Sequence, residues 1–136
     1  QAYIIASLVQ KEYSKKSERS TIAGVILNRL NIGMALQIDA TCKFATGDFE
    51  AKRVTSVHTN YDSPYNTYKY AGLPPGPICM PEVSTIDAVL NAVKHPYLYY
   101  CARPDLSGFH EFSRTFREHC QVANKYQKQL NKRGIY

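Results

Sequence analysis

The chain has 136 residues, 44% of them hydrophobic and 21% charged, with a formal net charge of +6. That length suits one compact domain with a real core, and the balance excludes a disordered or membrane-embedded chain. No apolar stretch approaches the roughly 20 residues that cross a bilayer, and no nucleic-acid motif accompanies the positive charge.

Taken in chain order, the first element is a helix from Gln1 to about Ser14, with apolar positions Ile4, Ile5, Leu8 and Val9. No signal peptide precedes it, so the expectation is a domain excised from a longer protein whose targeting segment lies upstream. A second helix is predicted over Glu18 to Leu30, with Ser17 as N-cap, Glu18 in its first turn and Ile22, Val25, Ile26 and Leu30 as its stripe. Gly33 ends it. Leu36 to Phe44 reads as an extended piece leading to a turn at Thr46-Gly47-Asp48.

Asn60 to Pro81 is a tyrosine-rich stretch in which six of the seven prolines and glycines follow Ala71. A long helix is excluded there, and a loop of this length inside a compact domain is usually functional. Ser84 is expected to cap a third helix whose core face is Ile86, Val89, Leu90 and Val93, and Pro96 stops it. Tyr97 to Ala102 and Phe109 to Ser113 read as strands of a hairpin, and a last helix runs from about Thr115 to Lys132. Its basic end (Lys125, Lys128, Lys132, Arg133) opposes the helix dipole or attracts an anionic polymer. Helices around a small antiparallel sheet make the fold α+β, in one domain over residues 1–136.

Cys42, Cys79, Cys101 and Cys120 contain no C-x-x-C pair, which argues against a zinc ribbon or redox motif. Three disulfide connectivities or four free thiols remain open.

Two polar residues of the first helix are candidates for chemistry, and helix geometry separates them. At about 100° per residue, Glu12 projects into the arc of Ile4, Ile5, Leu8 and Val9, whereas Gln10 lies about 160° away and points out. A carboxyl on the apolar side loses hydration, so its pKa rises above about 4.3, as a general acid at neutral pH requires. Pairing of Glu12 with a Lys or Arg at the helix end is the simpler alternative.

Several segments together resemble the YceG-like family, also called MltG, of endolytic murein transglycosylases. They are IIASLVQKE (Ile4 to Glu12), SERSTIAGVILNRLNIGMALQIDAT (Ser17 to Thr41), SPYNTYKYAGLPPGPI (Ser63 to Ile78), STIDAVLNAVKHPYLYYCA (Ser84 to Ala102), GFHEFS (Gly108 to Ser113) and EHC (Glu118 to Cys120). Their order follows the family's over nearly the whole chain. The resemblance implies a lysozyme-like placement of the catalytic glutamate, on Glu12, at the end of the first helix. This sequence departs from the family at Gln10 (often an acid), Tyr13 (usually a small hydroxyl residue), Ala40 (often proline) and Cys120 (often asparagine).

The implied reaction cuts the β-1,4 bond between N-acetylmuramic acid and N-acetylglucosamine and leaves a 1,6-anhydro end, with no metal or organic cofactor. Glu12 acts first as acid and then as base. Candidate substrate-binding residues are Gln37, Asp39, Ser63, Tyr65, Asn66, Thr67, Tyr68 and His110; Asn66 and Ser63 serve equally as local backbone partners in a turn. The implied partners are peptidoglycan glycan strands and penicillin-binding synthases. An upstream membrane anchor and a small LysM-like region would hold the domain outside the cytoplasmic membrane.

Three other readings compete. A true hydrolase would use Asp39 or Asp62 as a second carboxylate. A Cys101–His110 dyad, facing across the hairpin if Ala102 pairs with Phe109, would make a thiol hydrolase. The 11 tyrosines would also suit a glycan-binding module without chemistry. His119 is expected to cap or pack at the last helix.

Overall fold

The computed structural model describes residues 1–12, 15–51 and 53–134. Tyr13 and Ser14, where the first helix was expected to end, lie outside the described residues. In chain order the elements are α1 (Ala2–Lys11), a 3-10 turn (Lys16–Glu18), α2 (Arg19–Asn31), α3 (Asp39–Thr46), α4 (Ser56–Thr59), α5 (Val83–Leu90), β1 (Tyr99–Ala102), β2 (His110–Ser113) and α6 (Phe116–Lys132). Helices around one two-stranded antiparallel sheet make the fold α+β.

α1 is the centre of the domain. Ile5, Ala6, Ser7, Leu8 and Val9 are buried consecutively, so the helix is enclosed on most sides rather than along one stripe. It packs on α2 through Ile22 and Ile26, on α5 through Val89, and on Leu36, Ile38 and Ile78 from the connecting segments. Burying each such aliphatic side chain contributes about 1.5–3 kcal/mol. Ser7 ties the long loop to this core: its hydroxyl accepts from the Ile78 amide at 3.1 Å and donates to the Ile4 carbonyl at 2.7 Å.

Gln10 does not point into solvent as expected. It faces away from Glu12, but its amide donates to Glu82 at 2.9 Å and accepts from the Glu82 N–H and the Thr85 hydroxyl, fastening α1 to the start of α5. The wheel gave the right direction; it carried no information that another helix stands there.

α2 begins one residue later than expected, after a 3-10 turn, and Ser17 does not cap it. Glu18 has a different partner, described below. At Gly24 an added Cβ would lie 2.4 Å from the Val93 carbonyl oxygen, so glycine permits the close approach of the 93–95 segment. The expected extended piece after Leu36 is helical from Asp39 onward, forming α3, which Gly47 ends in the left-handed conformation (φ 76°). Residues 60–81 form the expected loop, without helix or strand.

α5 starts at Val83, with Glu82 rather than Ser84 in the cap position. Of its expected core face only Val89 is fully buried; Leu90 and Val93 are exposed, and Thr85 takes an inward position. The strands are shorter than expected and their register differs by one residue: Ala102 pairs with His110, and Cys101 with Glu111. Neighbouring side chains on a strand face opposite sides, so Cys101 and His110 are on different faces of the ladder. α6 is capped by Thr115, whose hydroxyl accepts from the Glu118 amide. All four cysteines are free thiols.

Candidate functional site

A cleft of about 530 Å³ opens beside the C-terminal end of α1. Its lining includes Glu12, Arg29 from α2, Gln37, Asp39 and Lys43 around the start of α3, Tyr68 from the long loop, Tyr100 and His110 from the hairpin, and His119, Tyr126 and Gln127 from α6. α1, α2, α3, the long loop, the hairpin and α6 therefore contribute to one depression.

Glu12 is the C-cap of α1 rather than its last helical residue. Its backbone is extended (φ −75°, ψ 125°), and its N–H bonds the Val9 carbonyl. The side chain thereby leaves the helix at the cleft. Burial first, and then the negative charge of Asp39, push its pKa from 4.5 to about 7. A hydrogen bond from the Tyr100 hydroxyl and the charge of Lys43 act in the opposite direction and lose. A carboxyl poised near neutrality can both give and take a proton at physiological pH.

Asp39 is raised too, by desolvation, against a hydrogen bond from the Tyr68 hydroxyl and the charges of Lys43 and His58. Burial and the surrounding carboxylates push the phenols of Tyr68 and Tyr100 upward, which keeps them as donors. Arg29 is the structural anchor of this wall. Its guanidinium donates to the carbonyls of Leu98, Ala35 and Leu36 and lies 5.0 Å from the Tyr99 ring centroid. This joins α2, the segment before α3, and the hairpin.

Of the residues singled out in the sequence, the cleft gathers Glu12, Gln37, Asp39, Tyr68 and His110. Gln37 adopts a left-handed backbone (φ 53°) at the lip, held by its N–H to the Thr67 carbonyl. Ser63, Tyr65, Asn66 and Thr67 do not line it. Asn66 is fully buried and saturated: its amide donates to the Thr59 and Tyr61 carbonyls and accepts from the Tyr68 N–H and the Cys42 thiol. Thr67 accepts from the Ile38 amide and bonds the Thr41 hydroxyl. Ser63 accepts from the Tyr65 amide, and the Tyr65 ring packs on Phe44. These four shape the loop that presents Tyr68 and are not in the cleft lining.

Asp62 is outside the cleft lining and accepts from Tyr70 at the surface. Cys101 is at the cleft wall, but burial raises its thiol to about 11, and the ladder turns it away from His110. His110 instead pairs with Glu18 at 3.1 Å. His119 stacks on Tyr99 at 5.1 Å, as packing was expected to have it, and its Nδ1 is buried with no hydrogen-bond partner among the described residues. No group of three His, Cys, Asp or Glu side chains among the described residues is placed to hold a metal ion.

Sequence reasoning missed Tyr100, Lys43, Phe49 and Tyr126. Tyr100 was one of three tyrosines around Leu98 and before Cys101, and only the strand register picks it out. Phe49 carried no signal in the sequence; in the structure it is 62% exposed on the rim of the cleft.

Comparison with known proteins adds independent information. The YceG-like family profile matches residues 1–125. An endolytic murein transglycosylase of Bacillus subtilis (strain 168) is 40% identical over 129 residues, covering 95% of this chain and 35% of the relative. A protein of the same description from Streptococcus pneumoniae (serotype 2, strain D39) is 42% identical over 102 residues, covering 72% of this chain and 18% of the relative. A crystal structure of a YceG-like protein from Listeria monocytogenes superposes with a TM-score of 0.81 at 40% identity, covering 87% of this chain and 38% of that one. The chain thus spans about a third of the Bacillus relative's length and less of the pneumococcal one.

Proposed function

The chain belongs to the YceG-like family, and on that premise we propose that it is the catalytic part of a murein transglycosylase in which Glu12 is the single acid/base. The observation that carries this reading is a carboxyl raised to about 7 that lines a cleft of about 530 Å³. The names of the Bacillus and pneumococcal relatives support the same substrate, murein.

Protonated Glu12 donates to the oxygen of the β-1,4 bond between N-acetylmuramic acid and N-acetylglucosamine as that bond breaks. The carboxylate so formed takes the proton from the muramyl C6 hydroxyl, whose oxygen attacks the anomeric carbon and closes a 1,6-anhydro ring. No water is consumed and Glu12 ends as it began, protonated. One acid suffices because the nucleophile belongs to the substrate, unlike the usual two-carboxylate arrangement. Asp39, negatively charged beside it, keeps the proton on Glu12 and stabilises positive charge developing on the sugar ring. Gln37, Tyr68 and His110 hold polar substituents of the strand, and Phe49 offers a face to a sugar ring.

Residues 1–136 are read as one domain of a longer protein, anchored upstream and acting outside the cytoplasmic membrane beside penicillin-binding synthases. The partial coverage of the relatives supports the first part of that reading. None of the described helices is long and apolar enough to cross a membrane.

A second reading has one observation in its favour: Asp39 shares the cleft with Glu12 and is oriented by Tyr68. A hydrolase would use it to activate water. Mass spectrometry of uncrosslinked glycan strands, after incubation with the wild type and with Glu12→Gln, separates the two. Anhydro-ended fragments from the wild type alone are expected. Reducing-ended fragments would move the chemistry to the Glu12–Asp39 pair, and activity in Glu12→Gln would remove Glu12 from the reaction.

A further inference from the structure

Glu18 is absent from the reaction described above, and it is one of the more completely engaged acids of the molecule. Its carboxylate accepts from the His110 backbone N–H at 3.0 and 3.1 Å through its two oxygens and from His110 Nδ1 at 3.1 Å. The side chains are only 14% and 7% exposed. The His110 ring stands edge-on to Tyr100, with centroids 5.6 Å apart and planes at 75°. In the hairpin register Tyr100 and His110 are diagonal neighbours on one face of the ladder. The Tyr100 hydroxyl reaches Glu12, and Glu18 follows Glu12 by six positions in the chain. The contacts run in series: Glu12 to Tyr100, Tyr100 to His110, and His110 to Glu18.

This series of contacts does more than staple the 3-10 turn to β2: Glu18 fixes the His110 backbone and ring, and that ring packs on Tyr100, the donor to the acid. The contact of Nδ1 with Glu18 also fixes the orientation of a ring that lines the cleft. We propose that Glu18 is a positioning residue for the acid, acting through His110 to hold the Tyr100 hydroxyl on the Glu12 carboxyl. The proposal rests on the reading of Glu12 as the acid.

The test compares the wild type with Glu18→Ala, Glu18→Gln and Tyr100→Phe in the protein carrying this sequence, by steady-state release of anhydro-ended fragments across pH. Glu12 is faced by Asp39 and Lys43 from α3 and by Tyr100 from β1, and Arg29 from α2 faces Tyr100. Of these only the Tyr100 contact should change. Its hydrogen bond lowers the Glu12 pKa, so its loss moves the alkaline limb of the kcat profile to higher pH. Glu18→Ala should lower kcat on the order of 10–100-fold, change KM far less than kcat, since His110 stays in the cleft lining, and shift that limb upward, as Tyr100→Phe does. Glu18→Gln keeps an acceptor for both His110 donors and should restore most of kcat and the wild-type limb. The Glu18→Ala and Tyr100→Phe effects should not add in the double variant.

An unshifted limb with unchanged kcat in Glu18→Ala would overturn the proposal, and so would a change confined to KM, which would make His110 a substrate contact only. Should Glu18→Ala melt below the assay temperature, Glu18→Asp, with its shorter reach, reads the same limb. Failure of the underlying reading shows separately, as anhydro product from Glu12→Gln.

Discussion

Two buried polar clusters lie side by side in this domain, and they are built in opposite ways. Around Asn66 and Thr67 every bond is made: the Asn66 amide fills both donor and both acceptor positions, and Thr67 closes onto Thr41 and the Ile38 amide. Around Glu12 a carboxyl is buried beside a second carboxylate, and the groups that help it, Tyr100 and Lys43, do not compensate. The first cluster is what a fold requires of polar groups it encloses. The second is costlier to bury, and an uncompensated carboxyl in a cleft is what the proposed proton transfer requires.

The sharpest break between the clusters is expected at Glu12. Glu12→Gln should abolish turnover, a loss of about 10²–10⁴-fold or more, while the protein remains folded. The Glu12 carboxyl titrates at about 7 in the folded chain against an ordinary 4.5. The native state therefore holds a proton that the unfolded chain has already released, and stability present below pH 4.5 is lost as pH rises through 7. Glu12→Gln escapes that loss. In denaturant titrations it should be more stable than wild type by roughly 3 kcal/mol at pH 8 and equal to it at pH 4.

Asn66→Ala should behave in reverse. It strands the Thr59 and Tyr61 carbonyls and the Tyr68 amide, at a cost of about 2–4 kcal/mol in the same titration. The fraction that stays folded should keep its pH profile. A smaller effect is expected at Phe49, on the rim. Phe49→Ala should raise KM several-fold, corresponding to about 1 kcal/mol of stacking, with kcat unchanged in glycan turnover. The smallest is at Cys101, where Cys101→Ala should leave kcat and KM as they are, since the thiol is un-ionised and faces away from His110.

The contrast also explains what could be read from the sequence. Glu12 was legible because a single helix and its apolar residues fix where position 12 emerges. Family resemblance pointed to the same residue, and the YceG-like relatives bear out the family and the α+β fold. The SPYNTY loop was ambiguous because Asn66, Ser63 and Thr67 have the same side-chain chemistry whether they bind a ligand or the backbone. Only the presence of the Thr59 and Tyr61 carbonyls beside Asn66 decides. Long-range partners were invisible for the same reason: Gln10 meets α5, and Glu18 meets β2, across 72 and 92 positions of chain. The α3 helix was missed because its inward face, Thr41 and Cys42, is two adjacent positions, one of them polar, and periodicity does not detect such a face. Hairpin register needed the structure, and one residue of it removed the Cys101–His110 dyad.

The most direct measurement is the titration of the Glu12 side-chain carboxyl by carbon-detected NMR, with Glu12→Gln identifying the resonance. A midpoint near 7, moving down when Asp39 is replaced by Asn, is the expected result, because burial and the Asp39 charge are what raise it. A midpoint near 4.5 would leave the carboxyl ionised at neutral pH and would contradict its role as the proton donor.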